Sequence, residues 1–143
     1  MRALLGLVII VFSVAAGAVA DSYLCIADQA TGFKFNKSTK TWKATNFNVS
    51  DGKYLVARSK DERYARAVTK VGDKRPIAYC DDDISGDDMN LGCNSPGLFR
   101  FRFSPKTMRF SMIYIAGYVG PFGIGGLEGD NTPFIEIGKC SPL

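Results

Sequence analysis

Beyond residue 20, apolar and polar side chains alternate with a period of two along much of this chain, which predicts strands rather than helices. Phe33 and Phe35 flank Lys34, Phe99, Phe101 and Phe103 flank Arg100 and Arg102, and Ile135 and Ile137 flank Glu136. In each case one face is apolar and the other wet, as in an antiparallel sheet wrapped round a core. On this pattern strands are expected at 23–27, 33–36, 41–47, 54–58, 64–71, 77–80, 98–104, 109–115 and 134–138. Turn residues separate them: Asn36-Lys37-Ser38, Asp51-Gly52, Gly72-Asp73, Ser104-Pro105 and Asp130-Asn131. The stretch 61–71 also suits one short helix, through Tyr64, Ala65, Ala67 and Val68.

Two stretches share a pattern. Gly32-Phe33-Lys34-Phe35-Asn36, then Thr39 and Trp42, is echoed by Leu98-Phe99-Arg100-Phe101-Arg102-Phe103-Ser104, then Thr107 and Phe110. Each is an aromatic strand entering a polar turn and returning on another aromatic residue. Two such hairpins in a meandering chain predict an all-β domain, a compact antiparallel barrel or wrapped sheet of about eight strands.

The first 20 residues differ from the rest. Arg2, an apolar run broken by Ser13 and Gly17, and the small-residue exit Ala18-Val19-Ala20 read as a secretory signal peptide cleaved before Asp21. The expected mature chain, 21–143, is a single domain without a membrane span. Losing Arg2 lowers the net charge by one from the +4 of the full chain. That balance is too mild to indicate nucleic acid as a partner.

All four cysteines fall in the mature part, an even number in a compartment that permits oxidation. Of the three pairings, the expected one joins Cys25 to Cys140 across the two ends of the domain and Cys80 to Cys93 round a short acidic loop. The competing zinc site is poorly served, because the chain has no Cys-x-x-Cys spacing and no histidine.

The segment from Tyr23-Leu24-Cys25 through Gly32-Phe33-Lys34-Phe35-Asn36, with Trp42 and the closing Glu136-Ile137-Gly138-Lys139-Cys140, resembles small exported proteins of proteobacteria and their phages. That resemblance implies a bacterial, periplasmic setting and supplies no activity. A looser resemblance runs to the periplasmic inhibitors of c-type lysozyme, compact disulfide-bearing barrels with a Tyr-x-Cys near the mature N-terminus and a late cysteine. Tyr23, Cys25 and Cys140 carry it, and it implies inhibition of a cell-wall hydrolase as a role. No segment here matches that family's inhibitory loop, so no functional residue is carried over.

Three segments hold candidate chemistry. In Asp81-Asp82-Asp83-Ile84-Ser85-Gly86, oxygen ligands at positions 1, 3 and 5 with glycine at 6 match the opening of a calcium loop. Asp81, Asp83 and Ser85 are the expected ligands of a calcium-stabilised structural protein. Position 12 of the pattern is Gly92, where a bidentate Glu belongs, and a solvated acidic loop is the competing reading. The glycine-rich stretch 117–129 interleaves Tyr118, Phe122, Ile124 and Leu127 with six glycines. It lacks the glycine spacing of a dinucleotide site and reads as a partner-binding loop or as a cap on the barrel. A basic set, Lys34, Lys37, Lys40, Lys43, Arg100, Arg102, Lys106 and Arg109, would gather on one outer face if the two hairpins lie together, or simply keep strand edges soluble.

Without histidine there is no Ser-His or Cys-His dyad, and oxidised cysteines are not nucleophiles. Trp42 and the phenylalanines are expected in the core. The function expected is therefore binding rather than catalysis: an exported interaction module with an envelope or extracellular protein as partner, modulating a cell-envelope hydrolase, and with no cofactor.

Overall fold

The computed structural model describes residues 20–84, 90–95, 99–119, 129 and 131–143. The expected leader, apart from Ala20, lies outside them. Among the described residues there are nine strands, β1 (Ser22–Asn36), β2 (Thr41–Phe47), β3 (Lys53–Arg58), β4 (Arg66–Lys70), β5 (Ala78–Cys80), β6 (Leu91–Asn94), β7 (Phe99–Ser104), β8 (Arg109–Tyr114) and β9 (Phe134–Pro142), with one helical turn, α1 (Ala116–Val119). The sheet runs β2-β1-β3-β4-β5-β6-β7-β8-β9 and closes by pairing β9 with β1, all antiparallel. Eight strands thus form a barrel, and β2 is a ninth laid against β1. Closure removes the free edges that an open sheet of this size would expose, except on β2.

The expected strands at 23–27 and 33–36 are one long strand. Its first half, Ser22 to Ile26, pairs with β3, and its second half, Ala30 to Asn36, pairs with β2 on the same edge. Between them the register with β9 slips by one residue, Ala27 lying opposite Gly138 and Gln29 opposite Ile137. Asp28 is thus the extra residue of a β-bulge, and a bulge re-aims every side chain beyond it. Tyr23, Cys25 and Ala27 point inward before it, and Ala30 after it. Phe33 and Phe35 therefore take the outward phase.

The barrel is filled by Tyr23, Tyr54, Val56, Val68, Leu91, Phe101, Phe103, Phe110 and Met112, with both disulfides among them. Tyr54 meets Phe101 and Phe110 edge-on, and Phe101 stacks on Phe110 with centroids 5.2 Å apart. Cys25–Cys140 and Cys80–Cys93 are bonded as expected. Each joins residues directly opposite on neighbouring strands, β1 with β9 and β5 with β6. No helix forms at 61–71: the antiparallel ladder from Arg58–Arg66 to Tyr54–Lys70 takes up the backbone groups as β4.

The two expected hairpins share one turn. Asn36 pairs with Thr41 and Ser104 with Arg109, leaving four-residue loops that each end in a left-handed residue, Lys40 (φ 51°) and Met108 (φ 52°). In the first loop the Asn36 side-chain oxygen accepts from the backbone N–H of Ser38 and Thr39.

Candidate functional site

The strand phase in β9 is opposite to the sequence expectation. Cys140 must face inward to meet Cys25, so counting back by twos turns Gly138 and Glu136 inward and Ile137 and Ile135 outward. Glu136 enters the barrel and accepts a hydrogen bond from the Tyr54 hydroxyl. Burial and this carboxylate together push the Tyr54 phenol well above its ordinary range. Ile135 and Ile137 are correspondingly 38% and 47% exposed.

These inversions assemble an apolar face on the outside of the molecule. Opposed residues of paired strands share a face, so the row Ile113, Ile135, Thr31, Asn46 crosses β8, β9, β1 and β2, with Ile137 on one side of it and Phe33 and Ala44 on the other. Phe33 is 51% exposed where a core position was expected. Trp42, opposite Phe35, is half-buried on this face rather than in the core, its ring 5.2 Å from that of Phe35. Beyond β8, Ile115 is exposed and Tyr118 of α1 sets its ring edge-on against Trp42 at 5.8 Å.

Three shallow depressions lie along this face. One of about 480 Å³ is lined by Phe33, Trp42, Ile115, Tyr118 and Pro133. A second of about 270 Å³ adjoins it over Phe33, Ile113 and Ile135. The third, about 510 Å³, lies over Ile135 and Ile137 and reaches Asp28 and Val49. Asp28 is the one carboxylate lining any of the three among the described residues.

No family model, curated protein or solved structure matches the chain.

Of the expected partner-binding residues, Tyr118 stands on this face; Phe122, Ile124 and Leu127 lie outside the described residues. The loop's far end is fixed at Gly129, whose positive φ of 87° and close approach to the Phe35 ring suit glycine, since a Cβ there would fall 2.3 Å from the ring. The contribution of Phe33, Ile115, Ile135 and Ile137 was not anticipated. For β9 the signal existed: Cys140, once paired with Cys25, fixes the phase of the strand.

Among the expected calcium ligands, Asp83 is engaged by arginines. Arg66, 1% exposed, donates from Nε to Asp83 Oδ1 at 2.5 Å, and Arg58 reaches Oδ2 at 3.5 Å. The Arg66 hydrogen bond holds the Asp83 carboxyl below the usual carboxylate range. Arg66 also donates to the backbone oxygens of Asp21 and Ala20, so the acidic loop clamps the start of β1. Asp81 is exposed, Ser85 lies outside the described residues, and no group of three metal-ligating side chains gathers among the described ones.

The basic set divides. Lys34 and Lys43 oppose each other on the face of the β1–β2 ribbon away from Phe33, and Lys37 and Lys40 sit in its turn. Arg100, Arg102 and Arg109 point outward from β7 and β8. Among the described residues no helix is long and apolar enough to cross a membrane.

Proposed function

We propose that this protein is an exported binding module, periplasmic or secreted, that docks a protein of the envelope or extracellular space on the outer face of β8, β9, β1 and β2. One observation carries the reading: Phe33, Ile115, Tyr118, Ile135 and Ile137 are exposed together on one side of a barrel whose interior is already filled. Contiguous apolar surface rimmed by polar groups is costly to leave in water and marks a contact site. Tyr and Trp at its centre are the side chains that dominate contact energies. The two disulfides fit an oxidising compartment. The chain has no histidine, and its role is binding without turnover. The resemblance to lysozyme inhibitors makes cell-wall hydrolases the first partners to test.

The experiment captures partners from envelope extract on the oxidised protein, then repeats the capture with Phe33→Ser combined with Ile135→Ser. The expected result is one protein retained by the parent and lost by the variant at unchanged melting temperature, and inhibition or stimulation of that protein once purified. Equal retention by both would overturn the assignment of the face.

A further inference from the structure

On a different part of the surface, below the apolar face, β6, β7 and β8 form a groove of about 450 Å³. Its rows follow from register. Gly92, Arg102 and Ser111 lie side by side across the three strands, and Ser104 and Arg109 form the next row; Asn90, Phe103 and Thr107 also line the groove. Arg109 is in turn directly opposite Lys139 of β9, both pointing outward.

Two features set this group apart from ordinary surface charge. First, the cations crowd one another. Arg102 is diagonal to Arg109, at the roughly 7–8 Å separation typical of such neighbours, and Arg109 faces Lys139 directly. Like charges so placed destabilise a sheet, and among the described residues neither Arg102, Arg109 nor Lys139 has a carboxylate partner to relieve them. By contrast, Arg58, Arg63 and Arg66 are all ion-paired. Second, the chain makes room for one of them. The Arg102 guanidinium lies across Gly92, where any Cβ would come within 1.7 Å of its nitrogen, so the glycine lets the side chain lie flat on β6.

The groove therefore offers two guanidinium donors together with the hydroxyls of Ser104, Thr107 and Ser111 and the amide of Asn90, with no carboxylate among the described residues that line it, and the Lys139 ammonium stands on the next strand opposite Arg109. Guanidinium forks match the paired oxygens of a phosphoryl group, whether a singly charged diester or a more highly charged monoester, and a cluster of three cations favours such an oxyanion over an isolated carboxylate. We infer that Arg102, Arg109 and Lys139 form a binding site for a phosphoryl group, carried either by a phosphorylated glycan or by a phospholipid headgroup. It stands independently of the protein-docking face, although Ser111 and Ile137 are opposite each other, so the two surfaces adjoin.

The test titrates the oxidised full chain with inorganic phosphate by calorimetry and measures its co-sedimentation with vesicles of phosphatidylglycerol in phosphatidylcholine. The Arg102→Gln/Arg109→Gln variant is compared with Lys34→Gln/Lys43→Gln, which removes the same charge from elsewhere. Expected is saturable phosphate binding that falls by about tenfold or more in the arginine variant and is retained in the lysine variant, with all three proteins melting alike. Vesicle binding abolished by the arginine pair alone assigns a headgroup, and phosphate binding without it assigns a soluble ester. No phosphate binding to the parent, or equal loss in both variants, overturns the site. Should the arginine variant melt differently, Gly92→Ala, which displaces the Arg102 guanidinium and keeps its charge, must lower phosphate affinity for the proposal to stand.

Discussion

The β1–β2 and β7–β8 hairpins have the same aromatic alternation, the same four-residue turn and the same left-handed residue before the returning strand, yet they treat their phenylalanines in opposite ways. Phe101 and Phe103 are 0% and 1% exposed, whereas Phe33 is half in water. Two local facts explain the difference. The β7–β8 hairpin is flanked by β6 and β9 inside the closed barrel, while β2 has nothing beyond it. And β1 carries the bulge at Asp28, which turns the aromatic phase outward just before the hairpin begins. Alternation thus defines two faces of a strand but not which of them is buried; that choice belongs to whatever fixes the phase elsewhere.

The strongest way to break the comparison is to excise one residue beyond the bulge, Thr31. Phe33 and Phe35 then take the inward phase, and the register with β9 or with β2 must fail, since a one-residue slip moves every side chain to the other face. Loss of a cooperative melt is the expected outcome, whereas excising Asp28 makes Ala27–Gly138 and Gln29–Ile137 consecutive pairs, keeps Phe33 outward and should leave a cooperative melt; a normal melt without Thr31 would show that register does not hold the phase.

Next in size is truncation of the two phenylalanines that the hairpins place differently. Phe101→Ala should cost about 3–5 kcal/mol, as for a fully buried aromatic, and Phe33→Ser should stay within about 0.5 kcal/mol, as at an exposed position. Denaturant melts of both variants measure the gap, and similar losses would mean that Phe33 is packed like core.

The comparison extends to the entry of β1, where Arg66, paired with Asp83, holds the backbone of Ala20 and Asp21. Because its partner holds the folded carboxyl below the unfolded value of about 3.9, the clamp is in place above about pH 4 and is lost as pH falls through the folded value. Asp83→Asn should therefore cost about 1 kcal/mol at neutral pH, the half-open site limiting the effect, and flatten the acid limb of stability. Melts between about pH 2 and 7 check both, and an unchanged acid limb would remove Asp83 from the clamp.

The barrel was legible because strand alternation and turn residues are local signals, and both disulfides were legible because four cysteines allow only three pairings. Strand β6 escaped notice because Leu91–Asn94 is short and interrupted by Gly92. The site was the hard part. Ile135 and Ile137 look like core beside Glu136 when read alone, and only the partnership of Cys140 with Cys25, 115 residues away in the chain, reverses them. The bulge at Asp28 has no glycine to announce it. What the glycine-rich stretch signalled survives at Tyr118, where the loop meets Trp42.

Cys25–Cys140 ties the first strand of the barrel to the last, and just beyond it the Leu143 N–H donates to the Ser22 oxygen. Any single backbone cut between those cysteines leaves two pieces that remain one molecule until the bond is reduced. In a space shared with proteases, such a seam makes nicking survivable: the damaged chain keeps its ends together, and the surfaces it presents to others outlast the continuity of its backbone.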